Sequence, residues 1–238
     1  MKRNSILAEG IRNRQAKAMH KPTRAGSLKA ARRIFLLSPA NAAGIRARMI
    51  VSENARFDLA VRLRQEGAPL GEVFSFISGL YFRGKLAYAQ RFADARAGVP
   101  GAYVITASGG LIPPESLITI ELLRAISAAP IDVTDQRYRE PLERDARAIC
   151  EFAGPKCEVV LLGSIATPKY VEPLLEIFGE RLLFPVEFVG RGDMSRGGLM
   201  LRSARAGEQL RYVPVATAVR HGPRPAKLPR LIREIKQS

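Results

Sequence analysis

Short apolar runs alternate with longer amphipathic stretches along this chain. Residues 34–37, 103–106 and 159–162 are apolar runs that end in small turn residues, the pattern of strands buried on both faces. Residues 56–65, 84–95, 114–127, 139–152 and 168–178 read as helices, with Pro114 and Pro168 where a first helical turn tolerates proline. Residues 182–189 and 210–219 read as two later strands, with 205–209 as a hairpin turn before the second. The alternation predicts an α/β fold with a mostly parallel central sheet and helices on both faces.

Size and composition fit that prediction. A chain of 238 residues suits one α/β domain with extensions, and 47% hydrophobic residues supply a substantial core. No apolar run reaches the length of a membrane span, and the first 30 residues lack the apolar centre of a secretory signal. Cys150 and Cys157 are the two cysteines. They fit a reducing cytoplasm and cannot complete a four-cysteine zinc or iron–sulfur site. The histidines and cysteines lack ligand spacing, and no Walker or dinucleotide fingerprint is present, so the sequence predicts no metal and no cofactor.

Charge divides the chain more sharply than hydropathy does. The net charge is +16, yet residues 1–33 hold ten Lys or Arg against Glu9 alone, and residues 220–238 hold six against Glu234 alone, which leaves +2 for the middle. The expected organisation is a basic N-terminal arm over 1–31, an α/β domain over 32–219 and a basic tail over 220–238. Arms of this kind neutralise phosphates and release counterions, which points to DNA as the partner, with RNA an alternative. The N-terminal arm has Ile6, Leu7 and Ile11 but few other large apolar residues, so a membrane surface is not the expected partner. The expected state is a monomer.

In parallel sheets, ligands bind beyond the carboxyl ends of the strands. The turns expected there are SPANAAG (38–44), SGGLIPPE (108–115), GSIATPKY (163–170) and GRGDMSRGG (190–198), all rich in small residues that let a ligand approach the backbone. The order of these features resembles the uracil-DNA glycosylase superfamily. FLLSPANAAG matches a first motif of a strand followed by a loop with Pro and Asn, here Pro39 and Asn41. VVLLGSIA resembles a later strand ending in a small-residue loop, and EFVGRGDMSRGG takes the place of the family's second motif, which presses on DNA. The segments SGLYFRGKLAYAQRF and YVITASGGLIPP are also similar to bacterial peroxide-resistance proteins that contact DNA. The resemblance implies a three-layer α/β/α fold and a DNA glycosylase. Two departures from the family matter. Asn41 follows its Pro rather than preceding it, and the second motif has no His, the one candidate being His221 in RHGPRP. Uracil is therefore not the implied base.

The candidate residues follow from what cleavage of an N-glycosidic bond requires: an oxocarbenium-like sugar held by electrostatics, a placed water and an anchored leaving base. Asn41 can orient a water but cannot take its proton, and a turn hydrogen bond to the backbone is the other role of such an Asn. Asp193 is either the stabilising carboxylate or a turn cap, and His221 is either catalytic or a solvent-exposed turn residue. Ser38, Pro39, Tyr81, Phe82 and Ser164 are candidates for the base pocket, with Tyr81 and Phe82 as stacking surface or as core. Arg46, Arg48, Arg191, Ser195 and Arg196 are candidates for phosphate contacts. The expected function is hydrolysis of a modified or damaged base from DNA, with defence against modified viral DNA as one setting. The alternatives are a DNA-binding protein of the same fold without catalysis, or an enzyme of RNA bases or nucleosides.

Overall fold

Ile34, Phe35, Leu36 and Leu37 are all completely buried. Successive strand residues point to opposite faces, so this strand must be covered on both sides. The computed structural model describes residues 31–42, 44–128 and 130–229. The basic arm expected over 1–31 lies outside the described residues apart from Ala31, as does the end of the tail from residue 230.

Among the described residues, the main sheet has six strands in the order β4-β3-β1-β6-β7-β8. These are β1 (Arg33–Leu37), β3 (Ala102–Ile105), β4 (Leu111–Ile112), β6 (Glu158–Leu162), β7 (Leu182–Pro185) and β8 (Tyr212–Pro214). β1 pairs in parallel with both β3 and β6, and β6 in parallel with β7, while β4 and β8 run antiparallel at the edges. A small second sheet pairs β2 (Ala68–Pro69) with β5 (Leu117–Ile118). The expected α/β class with a mostly parallel sheet flanked by helices is therefore present.

The helices are α1 (Ile45–Ile50), α2 (Asp58–Gln65), α3 (Leu70–Ser78), α4 (Leu80–Phe92), α5 (Ile120–Ala125), α6 (Gln136–Ala153), α7 (Val171–Phe178) and α8 (Asp193–Ala206). α4 lies against β1, where Phe35 meets Tyr88 edge to face at 5.7 Å. α6 and α7 pack together and against β4 and β7. The most extensive helix pair is α4 with α8, and its cause is local. A Cβ on Gly84 would lie 2.6 Å from the Gly197 carbonyl oxygen, and one on Gly197 would lie 2.7 Å from that of Leu80. Two bare backbones meet there, and no larger residue fits at either position.

That packing explains the largest departure from the sequence expectation. GRGDMSRGG is not a loop: α8 begins at Asp193 and runs through both Gly197 and Gly198. Glycine disfavours a helix interior, so the segment reads as a turn, but the contact with α4 requires it. The expected hairpin turn over 205–209 is instead the end of α8, closed by left-handed Gly207. The expected strands over 182–189 and 210–219 shorten to β7 and β8, each followed by a 3-10 turn. The expected helix over 114–127 splits into β5 and α5, because Ile118 pairs with Ala68 and Thr119 caps a new start by accepting from the Leu122 N–H at 3.3 Å.

Beyond the 3-10 turn that follows β8 the chain has no regular secondary structure, and it runs along α8. Arg191 donates to the Ala226 carbonyl at 3.4 Å, Arg202 donates to that of Pro229, and a Cβ on Gly198 would touch the Leu228 side chain.

Candidate active site

From β1 the chain passes to β3 on one side and then to β6 on the other. The crevice between the carboxyl ends of β1 and β6 is thus the topological switch point, where open α/β sheets bind ligands. Ser38 and Gly163 are the first residues beyond the two strands, and the Ser38 N–H still donates to the Leu162 carbonyl at 3.2 Å. Gly163 is small for a reason: a Cβ there would lie 2.9 Å from both the Ser38 Cβ and the Tyr170 hydroxyl.

The feature that sequence reading missed sits beneath this point. Lys85 of α4 is completely buried, with Nζ 2.6 Å from the Ser38 carbonyl oxygen and 2.9 Å from Ser38 Oγ. Its ammonium also lies 4.3 Å from the Tyr81 ring centre and 4.9 Å from that of Phe82. Burial penalises the charged amine and lowers its pKa to about 7, with Asp193 opposing part of the shift. Aromatic faces favour the charged form, but desolvation dominates. The result is an amine poised between its two forms near neutral pH.

The Tyr81 and Tyr170 phenols flank the pair. The Tyr170 hydroxyl accepts from the Ser164 N–H at 3.0 Å and lies within hydrogen-bonding reach of Ser38. The hydroxyls of Tyr81 and Tyr138 are buried and make no hydrogen bond among the described residues. Burial pushes the Tyr81 phenol up to about 12; the Arg196 side chain counteracts this and Asp193 adds to it. Asp193 itself is exposed in the first turn of α8, where a carboxylate interacts favourably with the helix dipole.

Several sequence candidates therefore meet at this crevice: Ser38, Tyr81, Phe82, Ser164, Asp193 and Arg196. Phe82 is core as much as site, being fully buried and edge-on to Phe74 at 5.4 Å. Arg196 directs Nε and Nη2 to the Phe188 carbonyl, and Arg191 directs Nε to that of Glu187 and Nη1 to Ser195 Oγ at 3.2 Å. These two arginines hold the turn before α8 in shape. His221 is exposed on the segment after β8, beside Gly222, which packs against Val189.

The other half of the β1 loop faces β3. Pro39, Ala40, Asn41 and Ala42 line a cleft of about 190 Å³ with Phe74, Thr106, Ala107 and Ile126. Asn41 is exposed at this cleft, and its carbonyl accepts from the Gly44 N–H at 3.3 Å, so its backbone makes the expected turn. Arg46 and Arg48 are exposed on α1, directly after the loop, and Arg48 lines an adjoining cleft with Ala42, Leu123 and Arg124. Among the described residues, no group of three or more His, Cys, Asp or Glu could hold a metal ion, and no helix is long and apolar enough to cross a membrane.

Comparison with protein-family models, curated proteins and solved structures finds no match to this chain.

Lys85 and Tyr170 carried no sequence signal of function. A lysine in YFRGKLAYA reads as a solvated helix residue, and its burial against Ser38 and the Tyr81 and Phe82 rings is a tertiary effect.

Proposed function

We propose that this protein is a nucleic-acid glycosylase of uracil-DNA glycosylase-like fold, which hydrolyses the N-glycosidic bond of a modified or damaged base and leaves an abasic site. The observation that carries the reading is the β1 loop, whose two ends serve two sites a few residues apart. One end, at Ser38, closes on the buried cluster at the switch point. The other, at Pro39–Ala42, walls an open cleft with an aromatic residue, Phe74, at its side.

A flipped base needs a pocket, and this cleft of about 190 Å³ offers one. Phe74, almost wholly buried, forms part of its wall. Asn41 at the cleft orients the attacking water. Arg46 and Arg48 beside the cleft contact phosphates, which position the strand without reading its sequence.

The test is incubation with single- and double-stranded oligonucleotides carrying a panel of modified bases, followed by alkali to cleave abasic sites. Alkali-dependent strand cleavage with release of the free base supports the reading. Binding without release from any substrate would make the chain a nucleic-acid-binding protein of this fold.

A further inference from the structure

We propose that Ser38 and Lys85 form a serine–lysine nucleophile pair that reacts with the phosphoryl centre of a phosphate ester, an activity separate from glycosidic cleavage.

A serine hydroxyl is a weak nucleophile until an adjacent base takes its proton. Lys85 is built for that task. Nζ donates to the Ser38 carbonyl at 2.6 Å and to Ser38 Oγ at 2.9 Å; when the amine is neutral, the same 2.9 Å contact lets its lone pair take the hydroxyl proton. The Tyr81 and Phe82 rings cover the amine and stabilise the positive charge that proton transfer creates. Burial keeps the amine neutral in a useful fraction of molecules near neutral pH. The titratable and charged groups facing the pair are the Asp193 carboxylate and Arg196 guanidinium from α8, the Tyr81 phenol from α4, and the Tyr170 phenol before α7. The Tyr170 hydroxyl, within reach of Ser38, is a donor for a developing oxyanion.

Access and charge indicate the electrophile. Ser38 is 6% exposed, Gly163 packs directly against it without a side chain, and half-buried Ser164 and exposed Asp193 form the margin. Exposed Arg46 and Arg48 lie on α1, which follows this loop, so an anionic ester is favoured over a neutral one. In the reaction, Oγ bonds to phosphorus, the ester P–O bond breaks, and Lys85 passes the hydroxyl proton to the leaving oxygen. Water then hydrolyses the phosphoserine and restores the hydroxyl.

The experiment uses the full chain, a fluorophosphonate probe with peptide mass mapping, and bis(p-nitrophenyl) phosphate with p-nitrophenyl acetate as the neutral comparison. The expected result is labelling of Ser38 at a rate that rises through about pH 7 and is absent in Ser38→Ala. Lys85→Met should slow labelling by about 100-fold or more, the scale of a lost general base, and bis(p-nitrophenyl) phosphate should give a stoichiometric burst of nitrophenolate. If Lys85→Met does not fold, the pH profile of the parent chain decides. No labelling at Ser38, labelling without dependence on pH across neutrality, or a burst from the acetate alone overturns the proposal. Base release does not enter the measurement, so failure here is distinct from failure of the glycosylase reading.

Discussion

The Lys85 Nζ lies 2.6 Å from the Ser38 carbonyl oxygen, so one buried amine ties helix α4 to the end of the central strand. The contact has a pH signature. Burial lowers the folded-state pKa of Lys85 to about 7, below its value in the unfolded chain. Below about pH 7 both states hold the proton, and the fold bears the full cost of a buried charge. As pH rises above 7 the unfolded chain binds more protons than the folded one, so stability increases. Urea unfolding at about pH 6 and about pH 9 should show the parent gaining roughly 2–3 kcal/mol from this group. Lys85→Met should lack that gain. Parallel pH dependence in the two proteins would mean that Lys85 titrates normally.

Backbone contact between α4 and α8 gives a second expectation. Gly84→Ala and Gly197→Ala each place a methyl group under 3 Å from a carbonyl oxygen of the other helix. Each should cost about 1–3 kcal/mol or more, the range for overpacking a tight interface. The gain in helix propensity from alanine is too small to offset it. Thermal and urea unfolding measure the loss, and an unchanged midpoint would show that the helices separate without strain.

The same glycines show how far the sequence could be read. The parallel core was legible because β1, β3 and β6 are apolar runs ended by Ser-Pro, Ala-Ser-Gly and Gly-Ser. The edges were not, because β4 and β5 are two residues long and β8 is three. α8 was hidden because Gly197 serves a tertiary contact against its own propensity, and α3 because LGEVFSFIS is apolar on nearly every side. At the site, Ser38, Ser164, Asp193 and Arg196 could be chosen from turns expected at one sheet edge, and Tyr81 as an aromatic candidate for stacking. Lys85 could not, since nothing in its neighbours along the chain marks it as buried.

The basic N-terminal segment makes a prediction of its own. Deleting residues 1–30, which removes eight Lys and Arg and one Glu, should weaken nucleic-acid binding and flatten its salt dependence. Each lost phosphate contact removes about 0.9 from the slope of log affinity against log salt on duplex DNA. Titrations at several salt concentrations measure the slope, and an unaltered slope would remove the arm from the binding account.

Arg191 and Arg196 separate from Arg46 and Arg48 in what their loss should do. The first pair bonds to the carbonyls of Glu187 and Phe188, so Arg196→Ala should lower the unfolding midpoint. Arg46→Ala with Arg48→Ala, both exposed, with Arg46 making one long bond to the Phe76 carbonyl at 3.4 Å, should lower the midpoint less and weaken binding about equally across base sequences. Equal stability effects from the two pairs would contradict this division.

Hydrolysis of a glycosidic bond at the β1 loop is most directly tested by the single-turnover rate of base release from an oligonucleotide, measured with the thermal midpoint on the same preparation, for the parent and Asn41→Ala. If Asn41 places the water, the rate should fall by roughly 100-fold or more, the scale of a lost polar catalytic group, with binding nearly unchanged. An intact rate per folded molecule, accompanied by a lower midpoint, would make Asn41 a turn residue and contradict the assignment of the reaction to this loop.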